Sequence, residues 1–156
     1  MSKLEVMQDD PWYKKGLRFK CTGCGKCCSG SPGYVFLTEE DIAALCAHLN
    51  ISEEEFIKRY TKSLHRRLSL RDDKPNYACI FLQEGKYCSV YKVRPLQCRT
   101  YPFWLMNISS EKQWVEESSR CEGINHPDAP VVTAEEIEKI AAVHAGLLSE
   151  KEYPIS

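Results

Sequence analysis

The stretch Cys21-Thr22-Gly23-Cys24-Gly25-Lys26-Cys27-Cys28 places four thiols within eight residues. In a reducing compartment such a density of cysteine has few physical uses other than metal binding. The two-residue spacers after Cys21 and Cys24 let a tight turn aim successive sulfurs at one centre. Gly23 and Gly25 supply the positive φ and the close amide approach that such a turn needs. Cys27 and Cys28 are adjacent. Neighbouring side chains of an extended segment point to opposite sides, so the pair reads as serving two centres or one multinuclear cluster.

The chain has nine cysteines, the other five being Cys46, Cys79, Cys88, Cys98 and Cys121. Cys46 sits in the apolar helical pattern Asp41-Ile-Ala-Ala-Leu-Cys46, where a free cysteine acts as a small buried hydrophobe. Setting it aside leaves Cys21, Cys24, Cys27, Cys28, Cys79, Cys88, Cys98 and Cys121 as candidate metal ligands. Eight thiolates make two complete four-sulfur sets, which suits two tetrahedral zinc ions or two cubane-type iron–sulfur clusters. Cys-Thr-Gly-Cys-Gly is close to the knuckle of zinc ribbons, and the three evenly spaced cysteines suit an iron–sulfur cluster equally, so zinc and iron both stand. The spacing disfavours a radical S-adenosylmethionine loop, a bacterial ferredoxin run, which needs a fourth cysteine followed by proline, and a thioredoxin-type dithiol, which needs a βαβ setting. Basic residues border the sulfurs: Lys20, Lys26, Arg99 and Arg120 are each adjacent to a cysteine, where positive charge favours thiolate. His48, His65 and His144 read as surface or satisfied residues, and His126, near Cys121, is a reserve ligand.

At 156 residues the chain has the length of one domain with a real apolar core. The expected fold is α+β, with short antiparallel β-hairpins and two or three helices around a cysteine-metal core over residues 19–123. A linker and a C-terminal amphipathic helix follow over 124–156. No run has the length of a signal peptide or a membrane span, so a cytoplasmic protein without a membrane partner is expected. The net charge of −1 gives no global attraction to nucleic acid.

Along the chain, Tyr34–Leu37 is β-prone. Thr38 with Asp41, Ser52 with Glu55, and Thr133 with Glu136 form capping boxes that open three helices, the first stopped by Asn50. The basic run Lys58, Arg59, Lys62, His65, Arg66, Arg67 and Arg71 reads as a solvated helix face and loop, with an acidic protein or anion partner as the alternative. Residues 76–91 read as one hairpin with Cys79 and Cys88 on facing strands. Arg94-Pro95…Pro102 reads as a helical turn carrying Cys98. Residues 103–117 read as a further hairpin about Ser109–Lys112. No Ser/His/Asp arrangement, carboxylate pair or phosphate-cradling loop stands out, so any catalysis would rest on the metal.

The combination of Cys21-x2-Cys24-x2-Cys27-Cys28, Cys79, Cys88, Arg94-Pro95-x2-Cys98-Arg99-x-Tyr101-Pro102-Phe103 and Cys121 resembles the YkgJ-type cysteine-cluster family, described as zinc- or iron-chelating. The resemblance covers roughly Phe19 to Gly123 and implies metal chelation through the eight cysteines. A related cluster occurs in flagellin lysine methylases. The competing expectation is therefore an iron–sulfur oxidoreductase or methyltransferase-like enzyme, although no cofactor loop is evident here.

Overall fold

Helix caps organise the first half of the chain. In a computed structural model, which describes residues 10–29, 33–73, 76–84 and 86–155, helix α1 spans Glu39–Leu49 and helix α2 spans Glu53–Tyr60. Thr38 and Asp41 form a reciprocal box at the start of α1, and Asn50 closes it in the left-handed conformation at φ 54°. Ser52 accepts from the Glu55 amide at 3.1 Å. The second half of that expected box is absent, because the Glu55 carboxylate bonds Arg59 one turn on, at 3.0 Å. Asp41, Ile42 and Leu45 of α1 and Phe56 of α2 point inward.

The basic run is not a helix face and loop. It folds into a hairpin of β2 (Thr61–Leu64) and β3 (Arg67–Leu70), in which Leu64 faces Arg67 across a two-residue turn. His65 and Arg66 form that turn at φ 50° and 62°. Positive φ at both positions is what the right-handed twist of the strands requires of so short a turn, and Asn-Gly is its usual signal. Val35 and Leu37 lie along the other edge of β3, bonded to Leu70 and Leu68, which gives the expected β-prone run only an isolated bridge, Phe36 to Ser69.

The expected single hairpin over 76–91 is two ladders. β4 (Asp72–Asp73) pairs with β5 (Ala78–Cys79), and β6 (Leu82–Gln83) pairs with β7 (Tyr87–Cys88). Cys79 therefore faces Asp72 rather than the strand of Cys88. A five-residue helix α3 (Leu96–Thr100) follows Pro95. The hairpin expected over 103–117 is instead helix α4 (Glu111–Ser118). Ser110 caps it by accepting from the Gln113 amide at 3.1 Å. Trp114, 1% exposed, turns inward to stack on Phe103 with ring centroids 5.6 Å apart. Helix α5 (Ala134–His144) carries the expected Thr133–Glu136 box. Strand β1 (Leu17–Arg18) pairs with β8 (Val131–Val132) just ahead of α5.

The result is a small mixed α+β chain with five α-helices among the described residues. Two apolar clusters support it. One joins Leu17, Phe103, Trp114, Ile124 and Ile137. The other joins Ile42, Leu45, Phe56, Leu70, Phe81 and Val90, with Cys46 packed against it. Trp12, in the expected aromatic lead-in, donates to the Ile108 carbonyl at 2.7 Å, while residues 1–9 lie outside the described chain.

The β2–β3 turn makes this fold testable. A side chain in the left-handed region costs about 1–2 kcal/mol. Replacing His65-Arg66 by Asn-Gly is therefore expected to raise unfolding stability by about 1 kcal/mol. The check is a shift of the urea midpoint to higher concentration with the slope unchanged.

Candidate metal centre

The cysteine loop is a set of backbone turns fastened at its ends. Gly23 and Gly25 sit at φ 73° and 76°, and a short 3-10 turn covers Lys26–Cys28, closed by the Cys28 amide on the Gly25 carbonyl at 3.0 Å. That turn corrects the expectation for the adjacent pair. The segment is not extended there, and the sulfurs of Cys27 and Cys28 stand 3.7 Å apart instead of on opposite sides.

Separate contacts bring Cys121 to the loop. The Lys20 amide bonds the Gly123 carbonyl at 3.2 Å, Phe19 bridges Ile124, and Thr22 donates to Glu122 at 2.6 Å. The approach is close enough to demand glycine, since a Cβ on Gly123 would lie 1.8 Å from the Lys20 carbonyl oxygen.

A cavity of about 400 Å³ opens between the two apolar clusters. Cys21, Cys24, Cys27, Cys28, Cys79, Cys88, Cys98 and Cys121 all line it, and Cys46 does not. Cys21 and Cys27 are exposed at its opening, and Cys121 is buried. Among the described residues no three His, Cys, Asp or Glu side chains already converge as a ready site for one ion. The sulfurs face a shared space. His126 does not line it, and its Nδ1 instead accepts from the Asp128 amide at 3.1 Å.

The electrostatics follow from this crowding. The Cys28 thiol bonds Cys27, which lowers Cys27 to about 7, with Arg120 and Arg94 adding to the effect; the same bond pushes Cys28 up. Burial pushes Cys79 up to about 11 and also raises Cys88, Cys98 and Cys121. Of the four basic neighbours singled out in the sequence, Arg120 lines the cavity, while Lys20, Lys26 and Arg99 do not. Arg71, Lys86 and Arg94 do line it. Arg94 is held by its own side chain, with the guanidinium 3.9 Å over the Tyr91 ring and Nε donating to the Tyr91 carbonyl at 3.0 Å. Tyr101 and Glu117, joined by a 2.5 Å hydrogen bond, complete a polar wall that spacing alone did not single out.

The donor set suits a soft or borderline metal. Tetrahedral sulfurs about 2.3 Å from an ion are about 3.8 Å from one another, close to the observed Cys27–Cys28 separation. Burial and guanidinium groups are a setting in which thiolates persist once a cation replaces their protons. Residues 20–122 match the family described as "CxxCxxCC: Putative zinc- or iron-chelating domain". The chain belongs to this family. MJ0661, an uncharacterised protein of Methanocaldococcus jannaschii and also similar to this chain, is 34% identical over 92 residues, covering 58% of this chain and 48% of the relative. The chain thus spans about half the length of the curated relative it matches, and no solved structure matches it. As a CxxCxxCC family member the protein has a metal ion as its partner class, and among the described residues no helix is long and apolar enough to cross a membrane.

The thiols fix a pH signature for the metal-free, reduced protein. Between about pH 7 and 9 the folded chain releases the Cys27 proton while the unfolded chain keeps it, so stability rises with pH. Between 9 and about 11 the unfolded chain releases the Cys79 proton while the folded chain keeps it, so stability falls. Denaturant midpoints measured across this range are expected to peak near pH 9, and Cys79→Ser is expected to flatten the alkaline limb.

Proposed function

We propose that the protein chelates zinc or iron through sulfur alone, using Cys21, Cys24, Cys27, Cys28, Cys79, Cys88, Cys98 and Cys121. The observation that carries this reading is the single cavity lined by these eight cysteines and avoided by the ninth. Eight thiolates form two four-sulfur sets, so two centres or one multinuclear cluster complete the donor count. The chain's own contribution is to hold the sulfurs on four separate segments, supply cationic side chains against the thiolate charge, and keep Cys98 and Cys121 away from water.

A second reading has an observation of its own. Structural zinc sites are closed by four protein ligands. This cavity opens at Cys21 and Cys27, and about 400 Å³ exceeds what two single ions fill, since a water molecule occupies about 30 Å³ in the liquid. That openness favours an iron–sulfur centre used in electron or group transfer over a purely structural metal. The basic segment is the partner surface in either case. Arg59 and Lys62 are bonded to Glu55 and Asp72, whereas Lys58, Arg66, Arg67 and Arg71 form no ion pair among the described residues, which suits an acidic protein or anion. A cytoplasmic setting would keep the thiols reduced.

Elemental analysis of anaerobically purified protein and its cysteine variants tests the ligand set. Cys24→Ser and Cys98→Ser are expected to lose metal. Cys46→Ala is expected to keep the full content at a stability cost of about 1 kcal/mol. Loss of metal from the Cys46 variant, or full retention in the Cys24 or Cys98 variant, contradicts the assignment. Reversible reduction seen by electron paramagnetic resonance supports the iron–sulfur reading, and redox silence with bound zinc removes it.

A further inference from the structure

Arg99 follows Cys98 in the chain, yet its guanidinium turns away from the sulfur cavity. It enters a second, smaller cavity of about 180 Å³, walled by Phe19, Phe103, Ile140, Tyr153 and Ile155. There it joins three parts of the chain. Nε donates to the Arg94 carbonyl at 2.9 Å. Nη1 bonds the Glu150 carboxylate and donates to the Ile155 carbonyl at 2.7 Å. Nη2 lies 3.6 Å from Asp41 of α1. The Arg99 side chain is 17% exposed and that of Asp41 is 3% exposed, so these ties are poorly screened by water.

The same knot fixes α3. Asp41 accepts from the Leu96 amide at 3.0 Å, at the first residue of α3, and from the Thr38 amide at 3.0 Å. Gln97 bonds the amide of Phe36 and the carbonyl of Tyr34, at 3.0 and 2.9 Å. A five-residue helix is too short to hold its own position, so these polar ties position it. Residues 149–155, the source of Glu150 and Ile155, lie outside the stretch that matches the family.

We infer that Arg99 is a positioning residue for the metal centre, through which the segment 149–155 governs how firmly the Cys98 sulfur is held. The inference rests on the chelation reading for Cys98. Partners that orient a ligand without touching the metal are typically worth 10- to 100-fold in affinity. Binding linkage is reciprocal, so metal loading must also steady the segment.

The test uses full-length protein loaded with zinc and a colorimetric chelator, pyridylazoresorcinol, to follow release. Glu150→Gln and Arg99→Gln are expected to release part of the zinc about tenfold faster than wild type. Arg99→Lys, which keeps the charge but loses the planar fork, is expected to fall between them and wild type. Ile137→Ala serves as a variant destabilised in the core without touching the knot. Amide exchange across 149–155 is expected to slow on zinc loading in wild type and not in Glu150→Gln. Unchanged release in both Glu150→Gln and Arg99→Gln overturns the inference, as does equal acceleration in Ile137→Ala at a matched fall in melting temperature. A wild-type protein that takes up no zinc or iron at all overturns the chelation reading itself, which separates the two failures.

Discussion

Eight sulfurs facing one space repel one another as soon as they ionise, and the architecture of the chain follows from that constraint. Thiols that stay protonated are weak ligands and poor core. Thiolates without a cation are worse, because burial penalises each charge and the neighbours add to it. Burial and mutual repulsion raise Cys79, Cys88 and Cys98, while a hydrogen bond and two guanidinium groups lower Cys27. A chain built this way gains most from a metal ion, which removes the protons and the repulsion together.

The apolar clusters do not depend on the sulfurs. Leu45, Phe56 and Ile137 are fully buried, and Trp114 is stacked and hydrogen-bonded through Nε1 to Asn125 at 3.0 Å. The cysteines lie along the seam between these clusters, on turns and two-residue strands with little regular structure of their own. What fixes them is specific and polar. Lys20 is stitched to Gly123, Thr22 to Glu122, and α3 to Asp41, Gln97 and Arg99. Scaffold stability and site geometry are thus carried by different interactions, which lets a substitution disturb one with a limited effect on the other.

The family-level chemistry was legible in the sequence because cysteine spacing is a direct statement of donor positions. Helices α1 and α5 were legible through their capping boxes, whose side chains and amides are near neighbours in the chain. The β2–β3 hairpin was not, because His65-Arg66 occupies a turn that Asn-Gly usually announces, and the basic run masked the strand pattern. Helix α4 carried a sufficient signal in Ser110-x-x-Gln113, but aromatic and β-branched residues on either side outweighed it as a hairpin. The Cys27–Cys28 approach and the direction of Arg99 were beyond reach for another reason. The first depends on a 3-10 turn set by Gly25, and the second on partners 51 and 56 residues away. Long-range partners of a single side chain leave no local periodicity to read.

The most direct measurement is X-ray absorption at the metal edge of the anaerobically isolated, full-length protein, because it reports which atoms touch the metal. The account predicts zinc or iron with a shell of sulfur alone at about 2.3 Å. A nearest shell of nitrogen or oxygen, or protein that holds no metal after anaerobic isolation and loading, would contradict it.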